Sequence, residues 1–115
     1  MKEILESVGQ AAIELTCSIP GHREFATVFM CRRDAVQINT ERRFPYLADC
    51  ELIYRLVRFR VPEEIIDNDV SCAEDELLDL QQIYLPHFES VQYLLDVWKI
   101  APRDFRKPCE VEIPI

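Results

Sequence analysis

Between Val61 and Val97 the chain carries ten carboxylates, Glu63, Glu64, Asp67, Asp69, Glu74, Asp75, Glu76, Asp79, Glu89 and Asp96, and no Lys or Arg. Soluble surfaces ordinarily intersperse both signs. A one-signed stretch raises the rate at which an oppositely charged surface is met. Part of the run has a local explanation, because Glu74, Asp75 and Glu76 suit the first turn of a helix, where the macrodipole favours negative charge. That leaves Glu63, Glu64, Asp67 and Asp69 without a local reason. Asp67-Asn68-Asp69 looks like the start of a calcium loop. A calcium loop needs Gly at its sixth place and Glu at its twelfth, and counting from Asp67 these are Cys72 and Leu78. The chemistry indicated is electrostatic docking, with Glu63, Glu64, Asp67, Asp69, Glu74, Asp75 and Asp79 as the partner-binding set.

The arginines form an opposite pole. Arg32, Arg33, Arg42, Arg43, Arg55, Arg58 and Arg60 face only Asp34, Glu41, Asp49 and Glu51 in the same stretch. An RNA-binding sheet would combine such cations with exposed aromatics, for which Phe44, Tyr54 and Phe59 are available. The stronger expectation is that these arginines form the wet face of a sheet or pair with the acidic segment. Five cysteines (Cys17, Cys31, Cys50, Cys72, Cys109) include no C-x-x-C, and His22 and His87 are the only imidazoles. An odd count of scattered thiols without an export signal indicates reduced cysteines in a cytoplasmic protein, mostly packed as small apolar groups. Neither a metal site nor a cofactor is expected. A Cys17–His22 nucleophilic pair lacks an orienting third group, and none of the glycine-rich, zinc or serine-hydrolase motifs is present.

These residues must be held by some 115 positions, of which 49% are hydrophobic and 30% charged, enough for one compact domain over 1–115. No apolar run approaches the ~20 residues of a spanning helix. The net charge of -8 resides in the C-terminal half: residues 1–60 hold nine basic and eight acidic side chains, residues 61–115 four and thirteen. Such a balance disfavours direct binding to nucleic acid or to an anionic membrane.

The elements follow from periodicity. Lys2 to Val8 reads as a short helix ended by Gly9. Ile13 to Ile19 alternates as a strand, Pro20-Gly21 breaks it, and Glu24 to Cys31 returns as its hairpin partner, with Ala35 to Asn39 as a further strand. Residues 47–61 fit both periods. The alternation Arg58-Phe59-Arg60-Val61 favours a strand over Leu52 to Val61, closed by Pro62. Ser71-Cys72-Ala73-Glu74 has the form of a capping box and precedes Leu77, Leu78, Leu80 and Tyr84, which predicts a helix over Cys72 to Tyr84. Pro86 introduces a second helix with Phe88, Val91, Leu94, Leu95 and Trp98 on one face, and Glu110 to Ile115 alternates as a last edge strand. Trp98 and Tyr93-Leu94-Leu95 read first as core and second as an interface anchor. The expected architecture is α+β: an antiparallel sheet of four to five strands with two consecutive helices of the C-terminal half packed on one face.

A motif-free acidic domain with one strongly anionic region is expected to act by occupying a basic site on another protein. In size, acidity and lack of catalytic signature it is similar to small bacterial immunity proteins and other proteinaceous nuclease inhibitors. That likeness of class implies an antitoxin that blocks the active or substrate-binding site of a basic toxin such as a nuclease. Its carboxylates would stand in for substrate phosphates. The alternatives are a self-associating or adaptor subunit of a complex, then a small enzyme or RNA-binding domain.

Overall fold

The computed structural model describes residues 1–32, 52–64, 77–111 and 113. The described elements are helix α1 (Lys2–Val8), strands β1 (Gln10–Leu15), β2 (His22–Arg32), β3 (Leu52–Pro62) and β4 (Leu78–Leu85), and helix α2 (Phe88–Val97), followed by single 3₁₀ turns at Pro102–Asp104 and Pro108–Glu110. The strands pair antiparallel in the order β1-β2-β3-β4. With two helices packed against this sheet, the architecture is α+β.

Alternation along the strands divides the side chains between two buried faces. On one, Ala11, Ala26, Val28 and Leu56 meet Leu5 of α1, Val91 and Leu95 of α2, and Ile100 and Phe105. On the other, Phe25, Val57, Phe59 and Val61 gather with Leu77, and Phe29, Val111 and Ile113 pack against them. The Phe25 and Phe59 rings stack at 5.7 Å between centroids. Thr27 is the polar exception, fully buried. Its hydroxyl donates to the Ala11 carbonyl (3.1 Å) and accepts from Gln10 Nε2 (3.0 Å), so burial leaves neither of its hydrogen-bonding capacities idle.

Helix α1 ends where expected, at Gly9, whose φ of 85° is the left-handed conformation a glycine adopts without a Cβ penalty. Strand β1 therefore begins at once, three residues earlier than the alternation of Ile13 to Ile19 suggests, and ends at Leu15. The predicted strand over Leu52 to Val61 is β3, with Ile53, Val57, Phe59 and Val61 buried as the alternation requires. The helix after Pro86 is α2. Among the described residues of the edge strand expected over Glu110 to Ile115, none is in a strand: residues 108–110 make a 3₁₀ turn, Val111 is in a turn, and Ile113 is outside any strand. The edge of β1 is instead met by a bridge between Ala12 and Arg106, each N–H donating to the other's carbonyl (2.9 and 2.8 Å). The strand expected at Ala35 to Asn39 lies outside the described residues.

The helix expected over Cys72 to Tyr84 is corrected. Residues 78–84 belong to strand β4, which pairs with β3 from Tyr54↔Leu85 to Arg60↔Leu78. The cap residues Ser71 and Glu74 lie outside the described residues. A bulge between Arg58 and Arg60 explains the misleading spacing: Asp79 takes φ 51°, an extra residue enters β4, and the alternation changes phase. With the phase changed between Leu78 and Gln81, Leu77, Leu78, Leu80 and Tyr84 fall at spacings that imitate a helical stripe. Among the described residues, the helices on the first face are α1 and α2, from the two ends of the chain rather than both from its C-terminal half.

Helix α2 closes with a Schellman motif: Ile100 N–H donates to the Leu95 carbonyl (2.9 Å) and Lys99 N–H to that of Asp96 (3.0 Å). The buried pair Leu95 and Ile100 supplies the accompanying apolar contact. Lys99 holds the left-handed position with φ 60°, where a side chain costs about 1–2 kcal/mol. Lys99→Gly should therefore raise stability by roughly 0.5–1 kcal/mol after the entropy lost by glycine is discounted, read as a higher Tm on thermal melting. An unchanged or lower Tm would contradict this cap.

Candidate functional site

Strand β3 carries three of the arginines singled out by the sequence, and alternation sends them to both faces. On the face of Phe59, Arg55 Nε donates to Gln82 Oε1 of β4 (2.7 Å), and its guanidinium lies 5.3 Å from the Phe29 ring centroid. On the helix face, Arg58 Nε donates to Glu24 Oε1 of β2 (2.7 Å), and its guanidinium lies 5.4 Å from the Trp98 ring centroid, beside α2. Two residues on, Arg60 Nη1 meets Asp79 Oδ2 at 3.2 Å. In β2, Arg23 grips Glu14 of β1 with two nitrogens, Nε donating to Oε2 at 2.8 Å, and its guanidinium lies 5.4 Å from the Phe25 ring centroid. This pair holds the Glu14 carboxyl below its usual range, chiefly through the hydrogen bond from Arg23. These four arginines, Arg23, Arg55, Arg58 and Arg60, are thus engaged by carboxylates, an amide and aromatic faces.

Of the seven carboxylates proposed from sequence, Glu63, Glu64 and Asp79 are described. Glu63 and Glu64 are exposed helical residues immediately after β3, and Glu63 N–H donates to the Gly21 carbonyl (2.8 Å). Asp79 sits at the bulge of β4, three-quarters exposed, and is partnered by Arg60. It therefore differs from the sequence picture of a carboxylate without counter-charge: the cation is distant in sequence and adjacent across the sheet. Asp67, Asp69, Glu74 and Asp75 lie outside the described residues.

Around the bulge, Glu24, Arg58, Asp79, Leu80 and Gln81 line an open groove of about 490 Å³. Its charges balance, with Glu24 and Asp79 answering Arg58 and the neighbouring Arg60. Arg60 Nε is buried without a hydrogen-bond partner among the described residues. The arrangement ties β2, β3 and β4 together.

The other candidates separate. Phe59 is buried and stacked on Phe25, and Tyr54 is half-buried against Phe88 (5.9 Å between centroids), so these two aromatics belong to the packing of the sheet. Burial, then Glu89 and Glu6, push the Tyr54 phenol upward, which places carboxylates of α1 and α2 within electrostatic reach of one point on the sheet. The Cys17 thiol donates to the Ile19 carbonyl (3.7 Å) and not to an imidazole. His22 Nδ1 is buried without a hydrogen-bond partner among the described residues, and His87 is exposed. No cluster of metal-ligating side chains occurs among the described residues. No helix among them is long and apolar enough to cross a membrane. Along Tyr93-Leu94-Leu95 and Trp98, Leu95 is core and Leu94 and Trp98 are half-buried, while Tyr93 is 74% exposed. Compared with protein-family models, curated proteins and solved structures, the chain matches none.

Two outcomes check this description. Asp79→Asn should change stability by no more than about 0.5–1 kcal/mol, since Asn tolerates the left-handed conformation and a surface ion pair contributes little. Asp79→Val should cost a further ~1–2 kcal/mol in denaturant unfolding, because a β-branched residue is strained at φ 51°. Equal losses in the two variants would contradict the bulge.

The thiols give the second. Cys17, Cys31 and Cys109 are free; Cys109 is exposed, and burial pushes the Cys31 thiol up despite the opposing Arg55 charge. Alkylation of the native protein near neutral pH should label exposed Cys109 early and Cys31, whose thiol is pushed up by burial, last of the three. Site-resolved mass spectrometry that finds Cys31 first would contradict its burial.

Proposed function

We propose that the protein is a small acidic binding protein of the immunity-protein kind, a cytoplasmic antitoxin that neutralises a basic toxin such as a nuclease by occupying its active or substrate-binding site. It acts by occupancy and not by catalysis. The observation that carries this reading is the disposition of charge. Arg23, Arg55, Arg58 and Arg60 are engaged within the sheet by Glu14, Gln82, Glu24 and Asp79, while the chain as a whole carries -8. The negative surplus is thus not spent on the sheet arginines. Glu63 and Glu64, exposed at the head of the acidic stretch, present carboxylates where the toxin's Lys or Arg would otherwise meet substrate phosphates. Free Cys17, Cys31 and Cys109 accord with a reducing compartment.

A second reading, a self-associating or adaptor subunit, is favoured by the position of β4 at one end of the described strand order, with Leu80 and Ile83 exposed at 40% and 37%. Sedimentation separates the two, because a monomer that forms a one-to-one complex with a basic protein does not need that edge.

The decisive test is kinetic. Against a basic toxin encoded beside it, the protein should relieve toxicity on co-expression, and its association rate should fall steeply between low and high salt. Charge reversal at Glu63, Glu64, Asp67 and Asp69 should slow association and flatten that salt dependence while leaving the fold intact. Asp79 is left out of the set because a Lys there would face Arg60 and disturb the sheet. A partner that is itself acidic, or reversals that leave both association and salt dependence unchanged, would overturn the proposal.

A further inference from the structure

The outer face of α2 exposes two large apolar side chains. Val91 and Leu95 are fully buried against the sheet, as an amphipathic helix requires, yet one turn apart on the opposite face Tyr93 and Val97 stand 74% and 56% exposed. Glu89 and Asp96 lie on the same exposed face, one turn before Tyr93 and one residue before Val97, and the helix contains no Lys or Arg. An aromatic ring and a β-branched side chain flanked by carboxylates have the make-up of an interface centre with a charged rim.

We infer that this face of α2 is a docking surface for a basic protein segment, with Tyr93 as its anchor, Val97 beside it, and Glu89 and Asp96 meeting the partner's Lys or Arg. Charge complementarity selects the occupant. A second copy would bring the same carboxylates of a chain with net charge -8 together, and nucleic acid or an anionic membrane would be repelled in the same way. Among the described cations around α2, Arg58 is held over the Trp98 ring and hydrogen-bonded to Glu24, Lys2 Nζ lies 5.7 Å from the Phe88 ring centroid, and Lys99 lies beyond the helix in the cap. The inference rests on the proposed function for the sign of the partner and adds a surface on a different element from Glu63 and Glu64.

The test titrates the full-length ¹⁵N-labelled protein with a synthetic amphipathic peptide bearing leucines on one helical face and arginines beside them, at low ionic strength, with a glutamate-for-arginine peptide as control. Saturable shifts should map to residues Glu89 to Val97. Tyr93→Ala should weaken binding at least tenfold and Glu89→Gln with Asp96→Asn several-fold, with unchanged far-ultraviolet circular dichroism, because these side chains face solvent. The glutamate peptide should not bind. Shifts confined to Glu63, Glu64 and their neighbours, with α2 silent, would overturn the α2 surface and leave the proposed function standing. Equal binding of both peptides, or binding of neither, would count against both.

Discussion

The pairing of β2 with β3 is the constraint on which the remaining structure depends. Eleven residues of each strand run in one unbroken antiparallel register, from His22↔Pro62 to Arg32↔Leu52. Because side chains alternate, a slip of one residue would exchange the faces of a whole strand. Were β3 to slip, Phe59 and Val61 would turn toward the helices, and Arg58 and Arg60 would enter the compartment that Phe25 lines. Two kinds of interaction agree on the observed register: the Phe25–Phe59 stack on one face and the Arg58–Glu24 hydrogen bond on the other. An ion pair of modest net worth thereby has a role beyond its energy, since it discriminates between registers that backbone hydrogen bonds alone would accept.

Everything added to this pair respects the division it sets. On the helix face β1 contributes Ala11, with Ile13 and Leu15 packed against the same cluster, and α1 and α2 cover that face through Leu5, Val91 and Leu95. On the other face Leu77, Val111 and Ile113 close over the phenylalanines. Strand β4 is accommodated only by inserting a residue, and the left-handed Asp79 at that insertion is also the group that reaches Arg60. A backbone irregularity and a charge pair thus occupy the same residue. Short carboxylate side chains tolerate that conformation better than branched ones.

What was legible in the sequence follows the same physics. The alternation over Leu52 to Val61 identified β3 because that strand is buried on both faces and lets an arginine emerge only where a partner or an aromatic ring receives it. The helix after Pro86 was legible because its apolar stripe must meet the sheet. Gly9 marked the end of α1 because only glycine takes φ 85° freely. Strand β4 was misread for two physical reasons. It is mostly exposed between Asp79 and Ile83, so no strict hydrophobic alternation is demanded of it, and the bulge moves the phase so that Leu77, Leu78, Leu80 and Tyr84 fit a helical period. The start of β1 was missed because Ala11 and Ala12 are buried yet too small to stand out in a hydrophobic pattern. Among the candidate site residues, Asp79 was read as uncompensated because its cation lies nineteen positions earlier, a separation that only the β3–β4 register removes.

Tyr93 illustrates how surface and core compete for one sequence signal. In Tyr93-Leu94-Leu95 all three residues count toward an apolar face, but a helix rotates about 100° per residue, so three consecutive positions cannot all point the same way. Leu95 shares its direction with Val91 and goes to the core. Leu94 lies at the flank, and the ring of Tyr93 is turned outward beside Glu89 and Asp96. Exposing that much aromatic surface is unfavourable in the isolated protein by the ordinary measure of apolar hydration. The sheet does not need the ring, since Val91, Leu95, Ile100 and Phe105 already bury its helix face. A large side chain that contributes little to the fold, set among charges of one sign on a regular helix, is the group that the proposed docking of a basic segment would cover. The rigidity of α2, fixed by the sheet beneath and the Schellman cap at its end, would let that surface meet a partner with little ordering cost.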